Sequence, residues 1–264
     1  MLKLSYNVPS KGYSCHNHSN LSDGDSTLEE MCRAAKAAGL KVFGLSDHWV
    51  VPPEDGYDSC LWSMDLSRLD SYISAMQKMK NELDDENFTL KTALEVDFFF
   101  ENIDSVLKNL EGYPLDYLIG SVHYSGKFGI DTDITLWEPL TEDEKEEICE
   151  IYWQKLLGAA QRKEFSFIGH PDLPKKFNTI NSKKYCPHAL KVLDAVAENN
   201  GAIELNTSGW FKPCAEQYPA FDLLQAANAR KIPVIVNADA HNAADVARGF
   251  EQAYMLLREA GYNY

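Results

Sequence analysis

Tyr13-Ser14-Cys15-His16-Asn17-His18 reads as a short strand ending on two histidines spaced i, i+2. Residues two apart in an extended chain project from one face, so both imidazoles are aimed at one point beyond the strand, which suits a metal ion. Histidines at this spacing also occur on ordinary surfaces. The choice depends on whether the rest of the chain sends similar groups to the same place.

Six more short apolar runs follow, over residues 41–48, 89–98, 116–123, 165–170, 202–206 and 233–241. His48, Glu95, His123 and His170 fall at or near the ends of four of them, and the last carries Asp239 and His241, again at i, i+2. Between the runs lie segments with helical signals. Ser26-Thr27-Leu28-Glu29-Glu30 forms a capping box for a helix that Gly39 ends. Leu66, Leu69, Ile73, Met76 and Met79 recur at helical spacing within 65–83, and Thr141-Glu142-Asp143-Glu144 opens a helix reaching about residue 162. Further helices are expected over 103–110, 187–199, 217–230 and 243–260, with a long loop over 126–139.

Strands alternating with helices imply parallel pairing through right-handed crossovers. Seven such units point to an α/β fold, a closed or nearly closed barrel of seven strands. Its C-terminal rim is where barrel enzymes build their sites, and the candidate ligands sit at that rim.

The chain has 264 residues with no repeat or linker that divides it, so one domain over 1–264 is expected. No stretch approaches the roughly 18 apolar residues of a membrane span, and no apolar leader follows the N-terminus, so a cytoplasmic location is expected. A net charge of −15 argues against nucleic acid or a membrane surface as partner. A small phosphorylated substrate remains compatible, because bound cations invert the field inside a pocket. Cysteines 15, 32, 60, 149, 186 and 214 form no Cys-x-x-Cys pair and read as reduced thiols.

The candidate metal ligands are His16, His18, Asp23, His48, Glu95, His123, His170, Asp239 and His241. Six of the seven histidines are in this set; His188, at a helix start, is read as a capping or surface residue. Imidazole nitrogen and carboxylate oxygen without thiolate suit zinc, manganese or iron. Nine donors exceed the needs of one ion, and a carboxylate such as Glu95 can bridge two. Paired ions form the usual clamp for displacement at phosphorus, so a multinuclear hydrolase is expected.

Taken in order, His16-Asn17-His18 with Ser22-Asp23-Gly24, Ser46-Asp47-His48, Glu95, Gly120-Ser121-Val122-His123, Gly169-His170 and Asn237-Ala238-Asp239-Ala240-His241 resemble the polymerase and histidinol phosphatase (PHP) family of metal-dependent phosphoesterases. Gly169-His170-Pro171-Asp172-Leu173 and Glu204-Leu205-Asn206-Thr207-Ser208-Gly209 look like its histidinol-phosphatase branch. The resemblance implies a distorted seven-stranded (β/α)7 barrel and a site of two or three divalent ions. It implies His16, His18, Glu95 and Asp239 around the first metal, Glu95, His123 and His170 around the second, and Asp23, His48 and His241 around the third, with Asp25 as a neighbour that could replace Asp23. The implied reaction converts L-histidinol phosphate and water to L-histidinol and phosphate, in histidine biosynthesis, by attack of a metal-bridging hydroxide. Glu95 and Asp239 would be the catalytic carboxylates.

The branch typically carries an arginine where this chain has Phe211, followed by Lys212. Glu204, Asn206, Lys212 and Arg248 are the candidate substrate contacts, with Lys175 and Lys176 as further candidate phosphate contacts; Trp49, Trp62 and Trp210 are candidate pocket walls. The departure at Phe211 keeps open a PHP phosphoesterase for another ester, such as a nucleotide, a sugar phosphate or phosphotyrosine. A non-catalytic metal-binding protein is the third reading. Oligomeric state is not legible in the sequence.

Overall fold

The computed structural model describes residues 2 and 4–264, with the side chain of Cys60 outside the described part. The chain alternates strands with helices as its periodicity predicts. β1 (Tyr13–Ser14) leads to α1 (Leu28–Ala37), where the Thr27 hydroxyl accepts from Glu30 N and the Glu30 carboxylate accepts from Thr27 N. β2 (Val42–Leu45) and β3 (His48–Trp49) are two pieces of one strand: both pair with β4 (Thr89–Asp97) in a common register, Val42 opposite Thr89 and His48 opposite Glu95. α2 (Leu69–Leu83) and α3 (Ile103–Leu110) flank β4, and β5 (Tyr117–Ser121) follows.

The segment expected as a loop over 126–139 is structured. It holds β7 (Phe128–Gly129), which forms a hairpin with β6 (Tyr124–Ser125) just before it, and a short helix, α4 (Ile134–Trp137). Trp137 is fully buried and donates from Nε1 to Ile130 O at 2.8 Å, so one aromatic anchor organises the segment where periodicity is silent. α5 (Glu142–Ala160), β8 (Phe165–Ile168), α6 (Cys186–Glu198) and β9 (Ile203–Asn206) come next.

Helix starts differ from expectation at three places. The helix expected from about residue 65 opens with a 3-10 turn at Leu66–Arg68 before α2 begins at Leu69. α7 (Phe221–Ala229) starts four residues later than expected, because Tyr218 is extended and bridges Asn206. After β10 (Val234–Asn237), the expected helix over 243–260 divides into a single 3-10 turn at Ala243–Asp245 and α8 (Phe250–Glu259). Gly249 separates them at φ +79°, a left-handed conformation that a side chain resists.

All barrel ladders are parallel, in the order β1-β2-β4-β5-β8-β9-β10. The first strand is shorter than expected, with His16-Asn17-His18 beyond its regular ladder. Those residues still close the ring: Asn17 forms a parallel bridge to Ala240, and His18 N donates to Ala240 O at 2.9 Å. The result is a nearly closed, distorted seven-stranded barrel, as expected from the alternation. Its interior is filled by Cys15, Ala93, Tyr117, Ile119, Phe167 and Ile235, and a larger apolar layer packs strands against helices. A Cβ on Gly44 would meet the Tyr117 hydroxyl at 1.9 Å, so only glycine leaves room for that ring. The Tyr117 hydroxyl in turn donates to Cys15 O at 2.6 Å, one residue before His16. Cys15, Cys32, Cys149, Cys186 and Cys214 are free, and burial pushes the Cys15 and Cys32 thiols up to about 12.

Candidate metal centre

Glu95 stands near the end of β4, the longest strand, fully buried at the centre of the rim. Five imidazoles close on its two oxygens. Oε2 is 3.2 Å from His16 Nε2, 3.6 Å from His18 Nε2 and 2.7 Å from His48 Nδ1. Oε1 is 2.8 Å from His170 Nε2 and 3.6 Å from the fifth ring, at His123 Nε2. Asp239 completes this side, with Oδ1 3.1 Å from His18 Nε2 and 3.7 Å from His16 Nε2. Toward the mouth, Asp23 lies 3.2 Å from His241 Nε2 and 3.6 Å from His48 Nε2. All nine predicted ligands are therefore brought together by the ends of different strands. Asp25, the considered substitute for Asp23, is in none of the donor groups found among the described residues.

The donor atoms fall into four overlapping groups in which every atom lies within 4.8 Å of the others: His18, Asp23, His48 and His241; His16, His18 and Glu95; His16, His170 and Asp239; His48, Glu95 and His123. His16 Nε2, both nitrogens of His18, His48 Nδ1 and Glu95 Oε2 are buried without a hydrogen-bond partner. Buried polar atoms are normally satisfied, so a cluster of orphans aimed at one small space fits cations there. The donor types fit a hard or borderline divalent ion.

The nitrogens facing away from the centre support the same assignment. His16 Nδ1 is 3.0 Å from Glu204 Oε2, His123 Nδ1 is 3.3 Å from Asp97 Oδ1, and His241 Nδ1 is 3.0 Å from Asp239 O. Each contact places the ring proton on Nδ1 and leaves the Nε2 lone pair for the centre, as outer carboxylates and carbonyls do for metal-bound histidines. Burial opposes charge throughout. Even so, His16, His48 and His123 hold the Glu95 carboxyl well below its usual range, and Glu204 with Glu95 raises His16 well above its own. For His18 burial wins, reinforced by the charges of His48 and His241, and its ring falls to about 3. A neutral His18 offers its lone pair without losing a proton. His170 at φ 21° and Asp239 at φ 49° adopt left-handed backbone that non-glycine residues resist, and such strain concentrates at functional sites.

Two of the expected substrate contacts lie behind the ligands. Glu204 is fully buried and its oxygens accept from His16 Nδ1, His170 N, Asn206 Nδ2 and Asn237 Nδ2 at 2.6–3.0 Å. Asn206 donates to Glu204 and to Asp239 Oδ2, and accepts from Ser208. No valence of either remains for a substrate, because β9 ends beneath the rim. Arg248 pairs with Asp245 and lays its guanidinium 4.0 Å over the exposed Phe211 ring. Lys212 does line the cleft above the centre, about 170 Å³ in volume, together with Lys176, Asp131, Ser208 and Tyr218. Lys175 is instead buried between Asp172 and Glu216. Trp62 meets His48 and His123 edge-on at 4.7 and 5.4 Å between ring centres, whereas Trp49 is buried in the core and Trp210 bonds Gln217.

Sequence reasoning missed Asp97, Asp131 and Asn237. Asp97 had a signal, two residues after Glu95 on the same strand face. Asn237 spans from β10 to Cys15 N, a link that no local pattern announces.

The PHP domain family model matches residues 14–208. A protein from Deinococcus radiodurans named "probable histidinol-phosphatase" is 37% identical over 238 residues, covering 89% of this chain and 88% of its own. A histidinol-phosphatase from Bacillus subtilis is 28% identical over 247 residues, covering 85% of this chain and 91% of its own. Among solved structures, a histidinol phosphate phosphatase from Lactococcus lactis, complexed with zinc, L-histidinol and phosphate, superposes with a TM-score of 0.78 at 21% identity, over 95% of this chain and 94% of that one.

Proposed function

The chain belongs to the PHP domain family, and from that premise we propose that it is a metal-dependent phosphomonoesterase that hydrolyses L-histidinol phosphate to L-histidinol and phosphate. The observation that carries this reading is the convergence of nine imidazole and carboxylate donors around Glu95, with orphaned buried atoms turned inward. Two or three ions, zinc, manganese or iron, would be held by His16, His18, Glu95 and Asp239, by Glu95, His123 and His170, and by Asp23, His48 and His241. Bound divalent ions neutralise phosphoryl oxygens and acidify water at neutral pH.

The residues have separable tasks. Glu95 is kept ionised by the surrounding rings and has one oxygen for each side of the centre. Asn206 and Ser208 donate to Asp239 Oδ2, and Oδ1 lies 3.1 Å from His18 Nε2. In this reading Asp239, which also lines the cleft, would assist proton transfer between the attacking water and the leaving alkoxide. Lys212 supplies a point charge for phosphate, whereas Arg248 stacks on Phe211 apart from the residues that line the cleft. Glu204 and Asn206 act by positioning His16, His170 and Asp239.

The same reading places the enzyme in the cytoplasm and in histidine biosynthesis. No helix among the described residues is long and apolar enough to cross a membrane. A single domain over 1–264 is supported by one apolar layer that runs from Leu28 to Tyr262. Phe211, exposed where the branch typically has arginine, supports a second reading, a PHP phosphoesterase for another ester such as a nucleotide, a sugar phosphate or phosphotyrosine. Measurement of kcat/KM for L-histidinol phosphate beside nucleotides, sugar phosphates and phosphotyrosine, in enzyme reconstituted with zinc or manganese, separates the two. A strong preference for L-histidinol phosphate is expected; broad weak activity would retain the metal chemistry and discard the pathway.

A further inference from the structure

Three carboxylates line the cleft among the described residues: Asp23, Asp131 and Asp239. Asp23 and Asp239 belong to the donor groups around the imidazoles, whereas Asp131 belongs to none. Two lysines line the same cleft. Lys212 has no carboxylate within ion-pair distance among the described residues, and Lys176 is bound to Asp131, with Nζ 2.5 Å from the backbone oxygen and 3.2 Å from Oδ2. The Asp131 side chain keeps 29% of its surface exposed, and Oδ1 has no hydrogen-bond partner among the described residues. Among the described residues the cleft thus has one free cation and, apart from the candidate metal ligands, one carboxylate with an open oxygen.

Asp131 is rigidly placed. Ile130 N donates to His123 O at 2.9 Å and Ile130 O accepts from Trp137 Nε1, so the residue before Asp131 is tied both to a rim histidine and to the buried tryptophan. Lys176 comes from the segment after His170, and its carbonyl accepts from Cys214 N at 2.9 Å. The ion pair therefore spans the two loops that carry His123 and His170.

We propose that Asp131 determines specificity by receiving the ammonium group of an amino-alcohol phosphate, with Lys176 as its counter-charge when no substrate is bound. The inference rests on the phosphomonoesterase reading above and names the part of the substrate that the metal centre does not read. With phosphate at the centre beside Lys212, the leaving group projects along the cleft wall, where Asp131 is the carboxylate free to meet it. An incoming ammonium replaces the Lys176 contact at Oδ2 or takes the open Oδ1. The carboxylate stays paired either way, and Lys176 keeps its bond to the Asp131 backbone oxygen. Charged pairs of this kind give strong, directional hydrogen bonds.

The test compares kcat/KM for L-histidinol phosphate and for its Nα-acetyl derivative, which lacks the ammonium charge, in zinc-reconstituted enzyme. The wild type is expected to prefer the free amine, and Asp131→Asn is expected to reduce the ratio about tenfold, mainly through KM for the amine. Lys176→Met removes the competing cation and is expected to raise the ratio. If the wild type prefers the amine but Asp131→Asn retains that preference, or Lys176→Met lowers it, the assignment of Asp131 is overturned and the phosphatase reading stands. Equal use of both esters by the wild type has the same consequence. Failure to hydrolyse either ester would instead sink the phosphatase reading, and this inference with it.

Discussion

Glu95 and Glu204 are both fully buried carboxylates beside His16, yet they play different parts. Glu95 meets its rings with one oxygen orphaned, whereas Glu204 has donors on both oxygens. Glu95→Gln keeps the shape and removes the charge that holds cations together. Loss of transition-state stabilisation worth several kcal/mol is expected, so turnover should fall by roughly three orders of magnitude while the circular dichroism spectrum persists. Near-normal turnover would move the bridging role elsewhere. Glu204→Gln loosens His16 without removing a ligand, and zinc affinity measured by chelator competition should drop about 10–100-fold.

At the scale of elements, the rim is precise because the strands beneath it are locked in register. β2 and β3 share one register against β4 although Ser46-Asp47 interrupts them, and Asp47 holds that break by accepting from Ser19 N and from the Ser19 and Ser22 hydroxyls. Gly44→Ala would drive a methyl group into the Tyr117 hydroxyl, which braces the chain one residue before His16. Overpacking of this kind costs about 1–3 kcal/mol, and urea denaturation should show that loss together with weaker metal binding. Thr141→Ala removes an exposed capping box far from the rim. It should cost about 1 kcal/mol in the same assay and leave zinc affinity unchanged.

For the whole molecule, the proposed metal centre would join parts of the chain that are distant in sequence. His16 and His18 lie at the start, Asp239 and His241 near the end, and between their segments the ring closes through Asn17 and Ala240. Ions bound only by the folded barrel stabilise it by mass action, about 2.7 kcal/mol at a hundredfold excess over the dissociation constant. Chelation should lower Tm and abolish activity, and added zinc should restore both. An unchanged Tm after verified metal removal would show that the centre does not contribute to the barrel's stability.

Periodicity and end signals in the sequence determined the order of strands and helices, the parallel barrel, and the set of nine rim donors, because each of these depends on residues close together in the chain. A strand end carries its polar residue at a legible place, and the i, i+2 pairs announce a shared direction. Only the tertiary structure decided what each donor faces. It moved Glu204 and Asn206 beneath the ligands, placed Arg248 on Phe211, and brought Asp131 to Lys176 across 45 residues. It also built order into 126–139 around Trp137, since one anchor has no period to read. Contacts across the ring depend on barrel closure and register, which are properties of all seven strands together, and no local stretch of sequence encodes them.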